Sequence, residues 1–365
     1  MTLLGWPLLA LLAVLAAAAP IGCLAAWNRI RGPRAVRAAG RLGLVATCQL
    51  TALLLVGVLV NRSMHLYATW DDLLGTTAVR GDIQAAGPVA QTGPAAGART
   101  PSPFEFDRRS GTRFAVLPGP ASGLRAEVRV WLPEQYDDPA YAGKRFPVVE
   151  LFPGFPGSAW TWFGAMRGGD RLRESLKKGL KDGRVKPFIL VAPTITVQAG
   201  RDTECTDIPK GPKVATWLTT DVRRIVTENF RALPEAASWG TMGYSTGGFC
   251  AAKLTAQHPT LFKAAVSLAG YYRPTGPDLT RRPDLARANS PLELAAARPP
   301  VELLLAGSVQ DPGTVEALQE MAGKVQPPTR AFTYIVEQGG HNVRVWQEML
   351  PRAYEWLSAR LAGPS

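Results

Sequence analysis

Two long uncharged stretches lie near the start of the chain, at residues 3–26 and 42–60. As helices rising 1.5 Å per residue they would measure about 36 Å and about 28 Å, against a hydrocarbon core of about 30 Å. The first is too long for a signal peptide and has no basic residue before it. We therefore predict two transmembrane helices, with a cleaved signal peptide or a buried soluble hairpin as the alternatives.

The segment between these stretches is basic. Residues 28–41 contain five arginines, Arg29, Arg31, Arg34, Arg37 and Arg41. Basic loops stay in the cytoplasm under the positive-inside rule, so we expect everything after residue 61 to lie on the extracellular side. Because this loop gathers part of the net charge of +12, the expected partner is the lipid bilayer and not nucleic acid.

Residues 62–103 are predicted to be a juxtamembrane segment and linker. From Ala85 to Pro103 the chain is mostly Ala, Gly, Pro and Thr, with too few large apolar side chains to order itself. We expect a flexible tether between a two-helix anchor at 1–61 and one globular domain at 104–365.

Short apolar runs alternate with helical stretches in the globular domain. The runs predicted as strands are Glu127–Trp131, Val148–Phe152, Phe188–Val191, Trp239–Gly243, Ala264–Leu268 and Val301–Ala306. This alternation predicts an α/β fold, a mostly parallel sheet with helices on both faces. Ligands bind beyond the carboxyl ends of such strands, so the residues after each run are candidates for a site.

The fourth run leads into the sequence Gly-Tyr-Ser-Thr-Gly at residues 243–247, followed by a helix-like stretch. Strand, turn and helix in this order are typical of the nucleophile elbow, G-x-S-x-G. Small residues must lie two positions before and two after the serine because the turn is strained. We predict Ser245 to be a nucleophile, the alternative being a tight structural turn.

A serine hydroxyl needs an adjacent base, and histidine is the usual choice. Of three histidines, His65 lies at the predicted membrane edge and His258 follows the nucleophile helix as a capping or surface residue. His341 follows the run Phe332–Val336 in a glycine-containing loop before a closing helix. His341 is the predicted base.

The acid of a triad in this fold lies between the nucleophile and the histidine in chain order. Asp311 follows the run Val301–Ala306 by a few residues and is the predicted acid. Glu316 is close enough to be an alternative acid, and Asp311 before Pro312 could instead be a turn former.

Two backbone N–H groups are expected to form an oxyanion hole. Thr246 follows the nucleophile and would supply the first. The loop Pro153–Gly157 follows an early strand, and Phe155 would supply the second because Pro156 has no N–H. The alternative for this loop is an ordinary Pro/Gly turn.

The four cysteines fall into two environments. Cys23 and Cys48 lie in the predicted spans, whereas Cys205 and Cys250 lie in the outer domain. A disulfide between the outer two is predicted and would stabilise the domain by about 4 kcal/mol on the chain-entropy estimate. Two unpaired buried thiols are the alternative.

With these motifs, residues from about 120 to about 360 resemble the bacterial putative-esterase family, which includes esterase D and the mycolyltransferases of the antigen 85 type. The likeness is greatest to actinobacterial members with N-terminal spans. The resemblance implies an α/β-hydrolase fold and a Ser/acid/His triad, which maps onto Ser245, Asp311 and His341. Since the mycolyltransferases use Glu as the acid, Glu316 stays open.

We therefore expect a membrane-anchored, extracytoplasmic serine esterase that acts on an ester or lipid-like small molecule. The mechanism needs neither a metal ion nor an organic cofactor. One alternative is an acyltransferase that moves the acyl group to an envelope alcohol. The other is a catalytically inactive, membrane-tethered binding module on the same fold.

Overall fold

The computed structural model of the chain describes residues 5–64, 67, 70, 73, 83–86, 103–165 and 169–365. The chain divides into two compact units. The first comprises residues up to Val79 together with the short segments Gln310–Pro312 and Glu337–Asn342. The second comprises the rest of the chain from Arg80.

The regular elements are as follows. The described helices longer than six residues are α1 (Trp6–Trp27), α2 (Arg34–Met64), α3 (Gly169–Lys181), α4 (Arg223–Asn229), α5 (Thr246–Gln257), α6 (Thr314–Lys324) and α7 (Val343–Ser358). The described strands are β1 (Ile83–Ala86), β2 (Glu105–Asp107), β3 (Thr112–Gly119), β4 (Leu124–Trp131), β5 (Val148–Phe152), β6 (Ile189–Pro193), β7 (Trp239–Tyr244), β8 (Ala264–Leu268), β9 (Glu302–Ser308) and β10 (Arg330–Val336).

Helices α1 and α2 pack against each other as a hairpin. Leu8 and Leu12, one turn apart on α1, are buried against Leu55 and Val58 of α2. The outward faces are apolar and exposed, and Leu24, for example, is 78% exposed. Both helices are long and apolar enough to cross a membrane. Exposed apolar surface of this extent is typical of contact with a membrane or a partner.

The basic loop is shorter than the predicted segment 28–41. Residues 28–33 connect the helices, whereas Arg34, Arg37 and Arg41 belong to the first turns of α2. Six of the eight residues at 34–41 are alanine or arginine, both strong helix formers, which explains the early start of the helix. The Arg41 guanidinium lies 5.1 Å from the ring centre of Trp27, the last residue of α1.

The described residues of the second unit form one ten-stranded sheet, in the order β1-β10-β9-β8-β7-β5-β6-β4-β3-β2. The six strands from β10 to β6 are parallel to one another. Strand β1 pairs antiparallel with β10, and β4, β3 and β2 continue antiparallel at the other edge. The predicted α/β fold with a mostly parallel sheet is confirmed.

The chain reverses its direction across the sheet between β5 and β7. Strand β5 leads to β6 on one side and β7 leads to β8 on the other, although β5 and β7 are neighbours with Phe152 opposite Gly243. Ligands bind at the carboxyl ends of strands at such a reversal. The segments that leave β5 and β7 there begin at Pro153 and Ser245.

The buried parallel strands are the ones that the sequence predicts best. Strands β5 and β8 coincide with their predicted runs, and β7 is longer by one residue. They are buried throughout, and strands covered on both faces read as continuous apolar runs. The antiparallel strands β1, β2 and β3 were not predicted. Strand β3 mixes buried and exposed positions and contains Pro118, which obscures its pattern.

A short part of the predicted linker lies within the described residues. Ala85 and Ala86, within the stretch predicted to be a tether, belong to β1 and pair with Phe332 and Ala331 of β10. A free sheet edge offers backbone donors and acceptors, which can order a segment that has no large side chains. Residues 87–102 of the linker, and His65, lie outside the described residues.

Candidate active site

Ser245 occupies a strained turn between β7 and α5. Its φ of 55° and ψ of −125° fall outside the regions that L-residues favour. Gly243 and Gly247 make this turn possible, because a Cβ on Gly247 would overlap the carbonyl oxygen of Phe152 and one on Gly243 would overlap the carbonyl of Gly247. The geometry is that of a G-x-S-x-G elbow.

Backbone contacts hold this elbow from both sides. The Ser245 N–H donates to the Leu268 carbonyl at the end of β8, 3.0 Å away, and the Phe249 N–H donates to the Ser245 carbonyl in the first turn of α5. Gly154, in the loop after β5, packs beside the elbow. A Cβ there would lie 3.2 Å from the Ser245 Cβ and 2.9 Å from the Tyr244 ring. The backbone of the β5 loop therefore passes directly beside Ser245.

The two predicted oxyanion donors lie next to these contacts. Thr246 is the first residue of α5 and is buried. The first N–H groups of a helix have no partner within the helix, and they carry its positive dipole end. Phe155 directly follows Gly154, its side chain is 38% exposed, and its peptide bond to Pro156 is cis. Both residues thus belong to the segments that adjoin Ser245.

A carboxylate and an imidazole meet in the first unit. Nδ1 of His341 lies 2.7 Å from Oδ2 of Asp311, and Asp311 is only 4% exposed. The loops that carry them are also joined by the Gly339 N–H, which donates to Oε1 of Gln310 at 2.9 Å. Glu316 is exposed in the first turn of α6. Of the two predicted acids, Asp311 is the one in contact with His341.

His258 lies at the carboxyl end of α5. Its N–H donates to the Leu254 carbonyl at 2.9 Å, so its backbone closes the last turn of the helix. Burial is the main cause that lowers the pKa of its imidazole, and the nearby Lys253 charge adds to the effect. These contacts are those of a helix-capping residue.

A disulfide joins Cys205 to Cys250, with a Cα–Cα distance of 5.7 Å. It ties the loop after β6 to the nucleophile helix α5. Lys253, one turn further along α5, is fully buried and donates to the carbonyls of Glu204 and Cys205 at 2.8 and 2.7 Å and to the Thr206 hydroxyl at 2.7 Å. Burial lowers the pKa of Lys253 to about 7. This lysine was not among the residues predicted from the sequence, although a single lysine within an apolar helix is a signal of a buried, paired charge.

Two polar residues contact the Thr246 side chain and were also missed. The Thr246 hydroxyl donates to Oδ2 of Asp202 at 2.9 Å, and the Tyr271 hydroxyl lies 3.3 Å from it. Burial raises the pKa of Asp202, and the neighbouring Glu204 charge raises it further. Burial likewise raises the pKa of Tyr271. A contact between Asp202 and Thr246, 44 residues apart, has no local signal in the sequence.

The two units each contain groups suited to acyl chemistry. The second holds a serine on a strained turn at a helix N-terminus, and the first holds an imidazole oriented by a buried carboxylate. A nucleophilic serine, a histidine base and an orienting acid are the groups of the serine hydrolase triad. Within the described part of the chain, no group of three or more His, Cys, Asp or Glu side chains could hold a metal ion.

The fold is similar to that of solved esterases. A ferulic acid esterase superimposes with a TM-score of 0.58 at 18% identity, covering 68% of this chain and 98% of its own. An S-formylglutathione hydrolase from Agrobacterium tumefaciens superimposes with a TM-score of 0.57 at 12% identity, covering 71% and 98%. At these identities the likeness establishes the α/β-hydrolase fold.

A relative and a family model match the sequence itself. An uncharacterized protein of Corynebacterium glutamicum is 24% identical over 302 residues, which cover 78% of this chain. The match spans 65% of the relative's length, slightly less than two thirds. The model of the Putative esterase family matches residues 120–357, more than half of the chain. The chain therefore belongs to the Putative esterase family, whose solved structural neighbours here are α/β-hydrolases.

Proposed function

We propose that the chain is a membrane-anchored serine esterase that hydrolyses carboxylic esters through an acyl-enzyme. Its family and its fold support a carboxylesterase-type function in general. Within that function, Ser245 is the nucleophile, His341 the base and Asp311 the acid. The observation that carries this assignment is the strained backbone of Ser245, which a merely structural turn has no reason to keep.

Chain order and strand register support the roles assigned to the three residues. They follow β7, β9 and β10, which lie parallel in one sheet. In the register, Leu268 lies between Tyr244 and Ala306, and Ser308 lies opposite Val336. The chain segments that follow these strands therefore all start at the carboxyl ends of the parallel strands. The order nucleophile, acid, histidine is that of α/β-hydrolases.

The reaction has two half-reactions. In the first, His341 takes the proton of the Ser245 hydroxyl as the serine oxygen attacks the ester carbonyl carbon, and it returns that proton to the departing alcohol. In the second, His341 deprotonates a water that attacks the acyl-enzyme, and the carboxylic acid leaves as Ser245 regains its proton. Asp311 holds Nδ1 of the imidazole throughout, which leaves Nε2 for the serine.

The negative charge on the carbonyl oxygen needs hydrogen-bond donors that are already in place. The N–H groups of Thr246 and Phe155 fill this role, one at the start of α5 and the other in the loop beside Ser245. Loss of one such donor lowers kcat by about 10² to 10³ in other serine hydrolases.

The same proposal places the enzyme at a membrane, with the catalytic domain at about 104–365 on the extracellular side. The exposed apolar faces of α1 and α2 suit two spans, and the arginines between them favour a cytoplasmic hairpin turn. The disulfide Cys205–Cys250 fits an oxidising compartment. At the extracellular face of the membrane, the catalytic domain could reach an ester or lipid-like small molecule as its substrate.

The triad is tested by labelling the full-length chain in detergent with a fluorophosphonate and mapping the modified peptide. Only an activated serine reacts, so heat-denatured protein serves as the control. We expect modification at Ser245 in the folded chain and none in Ser245→Ala. Folded protein that takes no label at Ser245 would refute the esterase and favour a tethered binding module.

The orientation is tested separately in intact cells. Arg31→Cys and Ser365→Cys place single new thiols between the helices and at the end of the chain. A membrane-impermeant maleimide is expected to label Ser365→Cys in intact cells and Arg31→Cys only after the cells are lysed. The reverse pattern would show that the catalytic domain is cytoplasmic.

A further inference from the structure

The loop after β6 is attached to the nucleophile helix at three points. Thr246, Cys250 and Lys253 follow one another at spacings of four and three residues, so they lie on one face of α5. Each has a partner within residues 202–206, which we call the brace: the Asp202 carboxylate, the Cys205 sulfur, and the backbone around Glu204.

Two residues of the brace have a strained backbone conformation. Glu204 and Cys205 have φ values of 49° and 52°, in the left-handed region that costs free energy for residues other than glycine. The disulfide holds Cys205, and Lys253 donates to the Glu204 and Cys205 carbonyls and to the hydroxyl of the next residue, Thr206. A strained loop fixed by covalent and buried polar contacts is rigid, and its end beside Thr246 is therefore rigid too.

At that end, Asp202 is oriented by both of its carboxylate oxygens. Oδ1 accepts the Glu204 N–H at 2.8 Å, and Oδ2 accepts the Thr246 hydroxyl at 2.9 Å. Thr246 is buried at the first position of α5, so this contact limits how its peptide group can turn. Lys253 and Glu204 are the charged groups that act on Asp202, with opposite signs.

Tyr271 closes the arrangement from the segment after β8. Its hydroxyl donates to Oε1 of Glu204 at 2.8 Å and lies 3.3 Å from the Thr246 hydroxyl. The same Glu204 oxygen accepts the Thr275 N–H at 2.8 Å. The Thr246 side chain is thus held by Asp202 on one side and by Tyr271 on the other.

We propose that Asp202 is a positioning residue of the esterase, which sets the direction of the Thr246 N–H through the Thr246 hydroxyl. This inference rests on the proposed function, in which that N–H stabilises the oxyanion. An oxyanion hole is effective when its donors are fixed before the charge develops. Loss of the Asp202–Thr246 hydrogen bond leaves the triad in place but loosens one donor, and it therefore slows acylation without weakening substrate binding.

The test compares Asp202→Ala, Thr246→Val and the double variant in the full-length chain in detergent. We expect each single variant to lower kcat for p-nitrophenyl acetate, and the rate of fluorophosphonate labelling, by about tenfold to a hundredfold with KM within about twofold. The double variant should be no slower than the slower single variant, because both changes remove one hydrogen bond. Thr246→Ser keeps the hydroxyl, so its kcat should be much closer to wild type than that of Thr246→Val.

The matched control is Thr203→Val. Thr203 is buried in the brace, but its hydroxyl has no hydrogen-bond partner among the described residues, so its loss should leave kcat unchanged. Rates of Asp202→Ala and Thr246→Val within twofold of wild type, or single effects that multiply in the double variant, would overturn the proposal. If Asp202→Ala does not fold, Thr246→Val and Thr246→Ser still decide it, because they leave the brace intact. Wild type without label at Ser245 would instead refute the esterase itself.

Discussion

The nucleophile and the acid–base pair are held in place by different kinds of contact. Around Ser245 the backbone is confined by packing, since glycines stand where any side chain would overlap a neighbouring carbonyl, and a disulfide and a buried lysine fix the adjacent helix. The loops of Asp311 and His341 are joined by polar side-chain contacts, which include Asp311 to His341 and Gln310 to Gly339.

This difference predicts different responses to mutation. Packing and covalent links act on the whole second unit, so their loss should reduce stability and activity together. A polar contact between two loops orients one side chain, so its loss should reduce activity and leave most of the stability.

The largest effect is expected on the acid–base side. His341→Ala and Asp311→Asn should each lower kcat by about 10⁴, because the imidazole is lost in one variant and loses its orienting carboxylate in the other. Initial rates with p-nitrophenyl acetate measure this, and the melting temperature should change little. Glu316→Gln is the matched control and should keep wild-type activity. A large loss in Glu316→Gln with little loss in Asp311→Asn would reverse the assignment of the acid.

On the nucleophile side, Gly247→Ala should damage the fold as well as the activity. Its Cβ would overlap the Phe152 carbonyl oxygen, and the strand cannot yield without disturbing the sheet. We expect a loss of about 4 kcal/mol or more in the free energy of unfolding, with labelling at Ser245 abolished. Gly323→Ala, where a Cβ meets nothing within 4 Å, should be neutral. Normal stability in Gly247→Ala would show that packing does not hold the elbow.

Removing the disulfide tests the covalent part of the same region. The double variant Cys205→Ser, Cys250→Ser should lower the free energy of unfolding by about 4 kcal/mol, because the unfolded chain gains the entropy of an open 45-residue loop. Chemical denaturation in detergent measures the change. The control is Cys23→Ala with Cys48→Ala, which removes the two free cysteines. Equal stability of the two double variants would contradict a stabilising disulfide.

What could be predicted from the sequence follows from how local each signal is. Strand β5 is recognisable as a continuous apolar run because both its faces are buried. The elbow is recognisable as a motif because the glycines that its turn requires lie within five consecutive residues. The contact of Asp202 with Thr246 and the shielding of Lys253 depend on where two distant segments pack, and neither leaves a periodic pattern. The α/β-hydrolase fold is confirmed, whereas the domain boundaries and the catalytic roles stay predictions.

The smallest expected effect is the pH dependence of stability that Lys253 confers. Its pKa is about 7 in the folded chain and 10.5 when exposed, so between these values the unfolded chain binds more protons. The free energy of unfolding should therefore rise with pH across this window, by at most about 1.4 kcal/mol per pH unit from this group. Denaturation at pH 7.5 and 9.5 measures the slope. Lys253→Met should flatten it, whereas Lys324→Met, at an exposed position of α6, should not. Equal slopes in wild type and Lys253→Met would mean that the ammonium stays charged among its oxygen acceptors, and that the brace is held by an ion and not by a neutral amine.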